Sequence, residues 1–344
     1  MRTWPLVFAL AIVGACDDEP AATTSTFVAS STSGSGGSGA SGAQSSSAAT
    51  GGGTAGAMQL GIEGDRFTID GVPTFLLGVS YFDGRNFHIE DLDELAARRF
   101  NLIRIWLDWN PASFFDAAGG LVAADTLLEL AEACRVRGIV VDVTILDTDL
   151  TFTDRDAALR AVVSTLAAQP NVFFDIANEH DHAGNTLSHA DVTALALAAR
   201  RENPAAILTV SSQGGHIVDD LTLSPGNIDE EIVGAGLDLL TPHFSRTADF
   251  YDKTDQRVTL AKEYLNSIGH AVPVYLQEEA RRGHSGLDPT TEQFLQAARE
   301  ARDAGAAGWV LHNDAGFDLS VATFFAQLDE VERATVDALA NEVF

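Results

Sequence analysis

The sequence predicts an α/β protein that folds as a (β/α)8 TIM barrel with a short β-hairpin before its first strand. Over residues 58–344, short runs rich in aliphatic and aromatic residues alternate eight times with helical patterns. This order indicates parallel strands joined by helices. The runs are apolar without strict alternation, as in sheets covered on both faces. The segment is also close in length to a typical barrel of about 250 residues.

The eight predicted strands lie at 74–80, 102–107, 139–145, 172–177, 206–212, 237–243, 273–277 and 307–312. Helices are predicted where apolar residues recur every three or four positions, at 90–100, 124–138, 156–169, 189–203, 256–269, 290–305 and 321–344. Segment 218–234 has a weaker helical pattern. The run RFTIDGVPTF predicts the hairpin, with its turn at Asp70 and Gly71. An open doubly wound sheet would usually carry a glycine-rich phosphate turn after the first strand, and GVSYFDGRNF is not one.

The first 57 residues have a different composition from the rest of the chain. Arg2 precedes an apolar run of ten residues, Trp4 to Val13, which is too short to span a bilayer. The following VGAC resembles a bacterial lipobox, which implies lipid attachment at Cys16. We therefore expect a lipoprotein signal peptide at 1–16, a flexible Ser/Gly/Ala/Thr-rich linker at 17–57 and the barrel domain at 58–344. A plain secretory signal is the alternative.

The N-terminal segment and the charge of the chain predict where the protein is located and which partners it binds. The protein is predicted to be exported and anchored by lipid to a membrane, in the periplasm or at the cell surface. Its formal net charge of -28 would repel phosphate backbones, which argues against nucleic acid and favours a neutral or cationic ligand. A single barrel domain predicts a monomer. Cys134, within an amphipathic helical pattern, is predicted to be a buried thiol.

Polar residues follow most of the predicted strands, where the reactive groups of such barrels lie. Asn178 and Glu179 follow strand 4 in FDIANEH, and Glu278 and Glu279 follow strand 7 in PVYLQEEA. Because strands 4 and 7 meet at one end of the barrel, a glutamate from each can face one cleft. The other candidates at or near strand ends are Tyr81, Arg104, Asp108, Trp109, Asp147, Gln213, His243, Trp309 and His312.

Several of these motifs, in this order, resemble the clan A glycoside hydrolases, and family 5 in particular. FDIANEH is similar to the strand-4 Asn-Glu motif, PVYLQEEA to the strand-7 motif and NLIRIW to the strand-2 arginine motif. The opening FTIDGVPTFLLGVSY is similar to the entry hairpin and first strand of family 5. The resemblance extends over residues 58–344.

The resemblance implies a retaining glycosidase that acts on a neutral β-linked poly- or oligosaccharide. Retention needs two carboxyl groups about 5–5.5 Å apart. Glu179 would be the general acid/base and Glu278 the nucleophile, with Glu279 as the alternative that spacing alone does not exclude. Asn178 would bind the sugar 2-hydroxyl, and Arg104 would keep Glu278 ionised.

The remaining implied roles concern substrate contacts. His243 would lie near the catalytic pair, Trp309 would form a sugar platform, and Trp109 and Tyr81 would contact substrate. Further stacking candidates are Trp106, Phe114, Phe115 and Phe244. For Arg104 the alternative is an ion pair with Asp175, and for the aromatic residues it is a place in the core.

The sequence also departs from the family. No histidine ends strand 3 in TILDTD, and Ser245 stands where many relatives have a tyrosine two residues after the strand-6 histidine. Tyr81 or Tyr251 could replace that tyrosine. These departures leave a second hypothesis, a non-catalytic carbohydrate-binding protein on the same barrel. His180 and His182 are the only hint of a metal; their spacing of two suits a strand or loop, and no further ligand cluster appears nearby. No metal or organic cofactor is predicted.

Overall fold

The computed structural model describes residues 58–109, 112–147, 154–184, 187–284 and 286–344. Cys16, the predicted signal peptide at 1–16 and the predicted linker at 17–57 lie outside the described residues. Within the described part of the chain, no helix is both long and apolar enough to cross a membrane.

The described chain alternates strands and helices, as predicted. The strands are β1 (Leu60–Glu63), β2 (Arg66–Ile69), β3 (Val72–Thr74), β4 (Leu76–Ser80), β5 (Leu102–Trp106), β6 (Val140–Leu146), β7 (Val172–Ala177), β8 (Leu208–Thr209), β9 (Ser211–Ser212), β10 (Val218–Asp219), β11 (Thr222–Leu223), β12 (Thr241–Pro242), β13 (Tyr275–Leu276) and β14 (Gly308–Leu311). The α-helices are α1 (Ile89–Ala97), α2 (Ala124–Arg135), α3 (Arg155–Thr165), α4 (His189–Glu202), α5 (Pro225–Ile228), α6 (Thr254–Ser267), α7 (Thr291–Asp303), α8 (Phe324–Gln327) and α9 (Glu330–Val343).

Parallel pairing of the strands closes a TIM barrel. One sheet runs in the order β13-β14-β4-β5-β6-β7-β8, and every pair in it is parallel. The fifth barrel strand changes partner at Val210: β8 pairs with β7, whereas β9 pairs with β12. A parallel bridge between Leu240 and Val274 joins the sixth strand to the seventh and completes the ring. The predicted fold class is therefore confirmed.

Side chains inside the barrel change from apolar to polar along the strands. At the end where the strands begin, Leu76, Leu102, Val140, Phe173 and Val310 form an apolar layer. Phe67 of β2 packs under this layer, 5.4 Å from Phe173 between ring centroids. The antiparallel strands β1–β3 thus close this end of the barrel, which leaves the opposite end for a site.

The predicted hairpin forms, with an added strand. β2 and β3 pair around Asp70 and Gly71, whose φ angles of 53° and 76° suit a tight two-residue turn. The sequence reading missed β1, which pairs with β2 on its other edge. This strand also donates a hydrogen bond from Leu60 N to Pro170 O, at 2.8 Å, and so ties the small sheet to the barrel.

Two predicted helices differ from the structure. Segment 218–234 begins with the β10–β11 hairpin and continues as α5 and a π-helix at Asp229–Gly234. The pattern at 321–344 is two helices, α8 and α9, because Leu328 adopts an extended ψ of 132°. Asp329 then caps α9 by accepting from Glu332 N, and the Glu332 side chain accepts from Asp329 N.

Candidate active site

Arg104 lies at the centre of a polar layer between the apolar layer and the open end of the barrel. It points inward from β5 and is completely buried. Its guanidinium group donates to Glu278 Oε1 at 2.7 Å, to Asn178 Oδ1 at 2.8 Å and to Asp175 Oδ2 at 3.1 Å. Thr144 Oγ1 accepts from Nε at 3.0 Å. Arg104 therefore makes both of the contacts that the sequence offered as alternatives, with Glu278 and with Asp175.

The acidic groups around Arg104 are held by several donors. Ser211 donates to both oxygens of Asp175, from its backbone N–H at 3.0 Å and its hydroxyl at 2.9 Å. Tyr275 and Gln277 donate to one oxygen of Asp142. Burial raises the pKa of Asp142 to about 7, although the charge of Arg104 opposes this rise. Most polar groups of this layer thus have a partner, although Asp142 Oδ1 has none among the described residues.

Glu278 projects from this layer into the open end. Arg246 donates to its Oε2 at 2.6 Å, on the opposite side from Arg104. Burial alone would raise the pKa of Glu278, but His312, His243, Arg104 and Arg246 together hold that pKa well below its usual value. The carboxylate is therefore ionised at neutral pH and fixed in orientation by two guanidinium groups.

Glu179 faces Glu278 from the end of β7. One carboxylate oxygen of Glu179, one of Glu278 and a ring nitrogen of His243 all lie within 4.8 Å of one another. His243 Nδ1 is 3.2 Å from Glu179 Oε1 and 3.7 Å from Glu278 Oε2. Glu179 has a φ of 43°, which is rare for a residue with a side chain. Ser211 Oγ accepts from Glu179 N at 3.1 Å and so helps to hold this turn.

The two glutamates line a pocket of about 690 Å³. One wall is aromatic. Phe82 stacks on Trp106 with ring centroids 4.1 Å apart, and Trp109 lies 4.5 Å from Phe82 and 4.9 Å from Phe317. Apart from Gly214, the other lining residues are polar: Asp147, Asn178, Glu179, His182, Gln213, Arg246, Glu278, Arg281, His284 and His312. Flat apolar rings beside paired carboxylates suit a ligand that has both apolar faces and hydroxyl edges.

Glu279 lies outside this pocket. Its buried carboxylate accepts from Thr254 of α6 at 2.7 Å and from the indole N–H of Trp309. Successive residues of an extended chain point to opposite sides, so Glu278 faces the pocket and Glu279 faces the helices. Burial raises the pKa of Glu279, and the hydrogen bonds from Trp309 and Thr254 oppose this rise. The geometry thus separates two glutamates that spacing alone left as alternatives.

Two predicted substrate contacts are wrong. Trp309 is 1% exposed and packs with the helix layer, because only its neighbours Gly308 and Val310 in β14 face the barrel interior. Tyr81 is also completely buried, and its hydroxyl donates to Asp91 at 3.0 Å. Neither ring lines the pocket. The alternative, a place in the core, applies to both, and Phe82 lines the pocket beside Tyr81.

The other stacking candidates divide in the same way. Trp106 and Trp109 line the pocket, as predicted. Phe114, Phe115 and Phe244 belong to the hydrophobic core and do not line the pocket. The indole N–H of Trp109 donates to Phe317 O at 2.8 Å, which fixes the plane of its ring.

The sequence reading missed Arg246. Ser245, at the position of the family tyrosine, instead donates to Asp219 at 2.7 Å. The next residue, Arg246, supplies the contact to Glu278 for which the sequence offers Tyr81 or Tyr251. Its Nε also donates to Glu279 O at 3.0 Å. No motif marks this arginine, and only its position beside the pocket identifies it.

Comparisons with known proteins show the fold. No family model matches the chain, and the search of curated proteins found no match. Among solved structures, a β-mannanase from the blue mussel Mytilus edulis is 15% identical, with a TM-score of 0.57 over 83% of this chain and 97% of that chain. A putative glycoside hydrolase from Bacteroides vulgatus is 13% identical, with a TM-score of 0.62 over 84% and 61%. An endo-β-1,4-mannanase from Thermotoga petrophila is 14% identical, with a TM-score of 0.55 over 78% and 76%.

Proposed function

We propose that the protein is a retaining glycoside hydrolase that cleaves β-glycosidic bonds in a neutral poly- or oligosaccharide. One observation carries this proposal: Glu179 and Glu278 face each other in one pocket, with carboxylate oxygens no more than 4.8 Å apart. Retaining glycosidases hold their carboxyl groups about 5–5.5 Å apart, whereas inverting enzymes need about 6.5–9.5 Å to admit water. The similarity in fold to proteins named glycoside hydrolases agrees with this chemistry.

Glu278 is the nucleophile in this mechanism. It attacks the anomeric carbon and forms a covalent glycosyl-enzyme intermediate. Arg104 and Arg246 keep its carboxylate ionised, as the lowered pKa indicates. They also hold one oxygen each, which limits rotation of the carboxylate during attack.

Glu179 is the general acid/base. It gives a proton to the leaving oxygen in the first step and takes one from water in the second. It is less buried than Glu278, with 16% of its side chain exposed against 7%, so water can reach it. We assign to Asn178 the binding of the sugar 2-hydroxyl; its carbonyl oxygen accepts from Arg104, and its amide donates to Asp147 at 3.2 Å.

The substrate proposed for testing is a β-1,4-mannan, with β-glucan as the comparison. The aromatic wall of Phe82, Trp106, Trp109 and Phe317 suits the flat faces of β-linked sugars. Several proteins of similar fold are named β-mannanases. The strongly negative chain disfavours polyanionic glycans.

The experiment is a release assay over β-mannan, β-glucan and a uronic acid polymer, with product anomers followed by NMR. We expect oligosaccharide release from a neutral polymer, with the β-anomer formed first. An initial α-anomer would contradict the retaining mechanism. Binding without release from any polymer would favour the non-catalytic alternative. That alternative is not favoured here, because both carboxylates and their supporting residues are in place and Arg246 contacts Glu278 where the family tyrosine is missing.

A further inference from the structure

A second cluster of titratable side chains lies behind the turn that carries Glu179. It contains His180, at the end of the turn, His189, at the start of α4, and His216, in the loop after β9. The three ring centroids are 5.4, 5.5 and 6.2 Å apart. One ligand atom each from His180, Asp181 and His216 lies within 4.8 Å of the others. The sequence did not show this cluster, because His216 lies 36 positions after His180 and only the fold brings the two together.

Two of the histidines have the same polar environment. His216 Nδ1 lies 2.7 Å from Asp181, and His189 Nε2 lies 2.5 Å from Glu230. An imidazole that donates its N–H to a carboxylate presents a lone pair on its other nitrogen. Those other nitrogens, Nε2 of His216 and Nδ1 of His189, are buried without a hydrogen-bond partner among the described residues. Histidines that bind metals usually donate their other ring N–H to a carboxylate or carbonyl oxygen, as these two can.

The third histidine brings a buried carboxylate. His180 Nε2 lies 3.2 Å from Glu231 Oε1, and its Nδ1 lies 3.4 Å from the Leu187 carbonyl oxygen. Both His180 and Glu231 are 1% exposed. Glu231 Oε2 has no hydrogen-bond partner among the described residues. Without a metal, His180 Nε2–H donates to Glu231; with Nδ1 donating to the Leu187 carbonyl instead, the Nε2 lone pair and the Glu231 carboxylate can bind one cation together.

We propose that His180, His189, His216 and Glu231 form a Zn²⁺ site. Tetrahedral zinc with Zn–N distances of about 2.0–2.1 Å places imidazole centroids about 5 Å apart. The His180 ring lies close to that distance from His189 and His216, at 5.4 and 5.5 Å, whereas the rings of His189 and His216, 6.2 Å apart, have to approach each other on binding. Three imidazoles and one carboxylate are ligands that suit zinc. Asp181 orients the ring of His216 and Glu230 orients the ring of His189, each by a contact to the ring nitrogen that does not bind the metal.

The site joins elements that position the proposed acid/base. Its ligands come from the turn after β7, the start of α4, the loop after β9 and the π-helix at Asp229–Gly234. His180 directly follows Glu179, and His180 N also donates to Ser211 O at 3.0 Å. Bound zinc therefore fixes the turn in which Glu179 has its left-handed backbone conformation. Its role is structural, because four protein ligands close the tetrahedral shell.

Metal binding is tested directly on the full chain. The protein is treated with EDTA, dialysed and titrated with Zn²⁺ alone, and bound metal is measured by mass spectrometry. We expect one zinc per chain and a higher melting temperature after reloading. Co²⁺ in place of Zn²⁺ reports the geometry, with the intense visible absorption of a tetrahedral site expected. Less than about a tenth of an equivalent of zinc, with an unchanged melting temperature, would overturn the proposal.

Variants test which residues bind the metal. His216→Ala and His189→Ala should each lower the bound zinc at least tenfold at equal free zinc and remove the Co²⁺ absorption. His270→Ala is the control, because His270 is exposed and outside the cluster. Retention of one zinc in both ligand variants would refute the assigned ligands. The titration of the unaltered protein decides the proposal even if a variant fails to fold. It is also independent of the glycosidase proposal, since metal content needs no substrate.

Discussion

Arg104 connects the core of the barrel to the proposed nucleophile. The family resemblance implied its contact with Glu278, with Asp175 as the alternative partner; the structure shows both contacts and adds one with Asn178. Its guanidinium carbon also lies 4.1 Å from the centroid of the Trp106 ring. One residue thus fixes a carboxylate, an amide and one ring of the aromatic wall.

Replacing Arg104 should change the pH dependence of the reaction. Arg104→Met removes a positive charge that helps to hold the pKa of Glu278 below its usual value. Because the nucleophile must be ionised to attack, the acidic limb of kcat/KM should move to higher pH. Arg104→Lys keeps the charge but loses the planar fork, so its limb should move less while the rate still falls. An unmoved limb in a folded, active Arg104→Met variant would favour a purely structural role.

Arg246 should act on Glu278 in the same direction. Arg246→Gln removes the 2.6 Å contact to Glu278 Oε2, so the acidic limb should again move upward. Arg281→Gln is a matched control, because Arg281 lines the same pocket but pairs with Asp314 at 2.9 Å. We expect the limb of the control to move less. Equal shifts in both variants would mean that general pocket charge matters and the contact does not.

Residue-level prediction succeeded where a motif constrained the residue and failed where the direction of the side chain decided the outcome. Asn178, Glu179 and Glu278 follow strands, so their placement at the open end follows from the fold. The family resemblance and the strand ends suggest substrate contacts for Trp309 and Tyr81, yet both rings pack in the core toward the helices. The side to which a strand residue points depends on register, which a pattern of uniformly apolar strands leaves undetermined.

At the scale of elements, the least predictable boundaries were those set by single backbone conformations. The apolar pattern at 321–344 is continuous, and only the extended Leu328 and the cap at Asp329 divide it into α8 and α9. The same holds for 218–234, where a short hairpin precedes the helical residues. Periodicity measures which face is buried, whereas a break depends on local hydrogen bonds.

The cap at Asp329 should contribute measurably to stability. Asp329→Ala removes the acceptor for Glu332 N and the ion pair with Arg282 at 2.8 Å. We expect a loss of about 0.5–2 kcal/mol in the free energy of unfolding, measured by urea denaturation. Asn341→Ala, at an exposed position of the same helix, should change it by less than about 0.5 kcal/mol. If Asp329→Ala has no larger effect than Asn341→Ala, the cap is not what stabilises α9.

For the whole molecule, the fold class followed from local information, because strand and helix periods are visible in short windows. The residues that assemble into each site could not be identified from local information. His180 and His216 are 36 positions apart, and nothing in the sequence pairs them. Arg246 and Glu278 are likewise far apart in the chain, and no sequence pattern pairs them. Contacts between loops at the open end of the barrel depend on how every strand is tilted and paired, which no single segment determines.

We also propose that the protein is held at a membrane through lipid on Cys16. The motive is the VGAC box followed by a Ser/Gly-rich segment. Protein made in a bacterial host should partition into detergent, and Cys16→Ala should shift it to the aqueous phase. Recovery of the unaltered protein wholly in the aqueous phase would exclude the anchor and leave the plain secretory signal.

Chemical rescue of a nucleophile variant tests the proposed reaction most directly. Glu278→Gly should lower turnover of an activated aryl β-glycoside about 10⁴-fold or more. Azide should restore activity and yield a glycosyl azide of inverted anomeric configuration, because the small anion occupies the space of the lost carboxylate. Glu279→Gly is the matched variant, since Glu279 faces the helices, and azide should not rescue it. Rescue of Glu279→Gly, or an unchanged rate in Glu278→Gly on a substrate that the unaltered protein cleaves, would contradict the account.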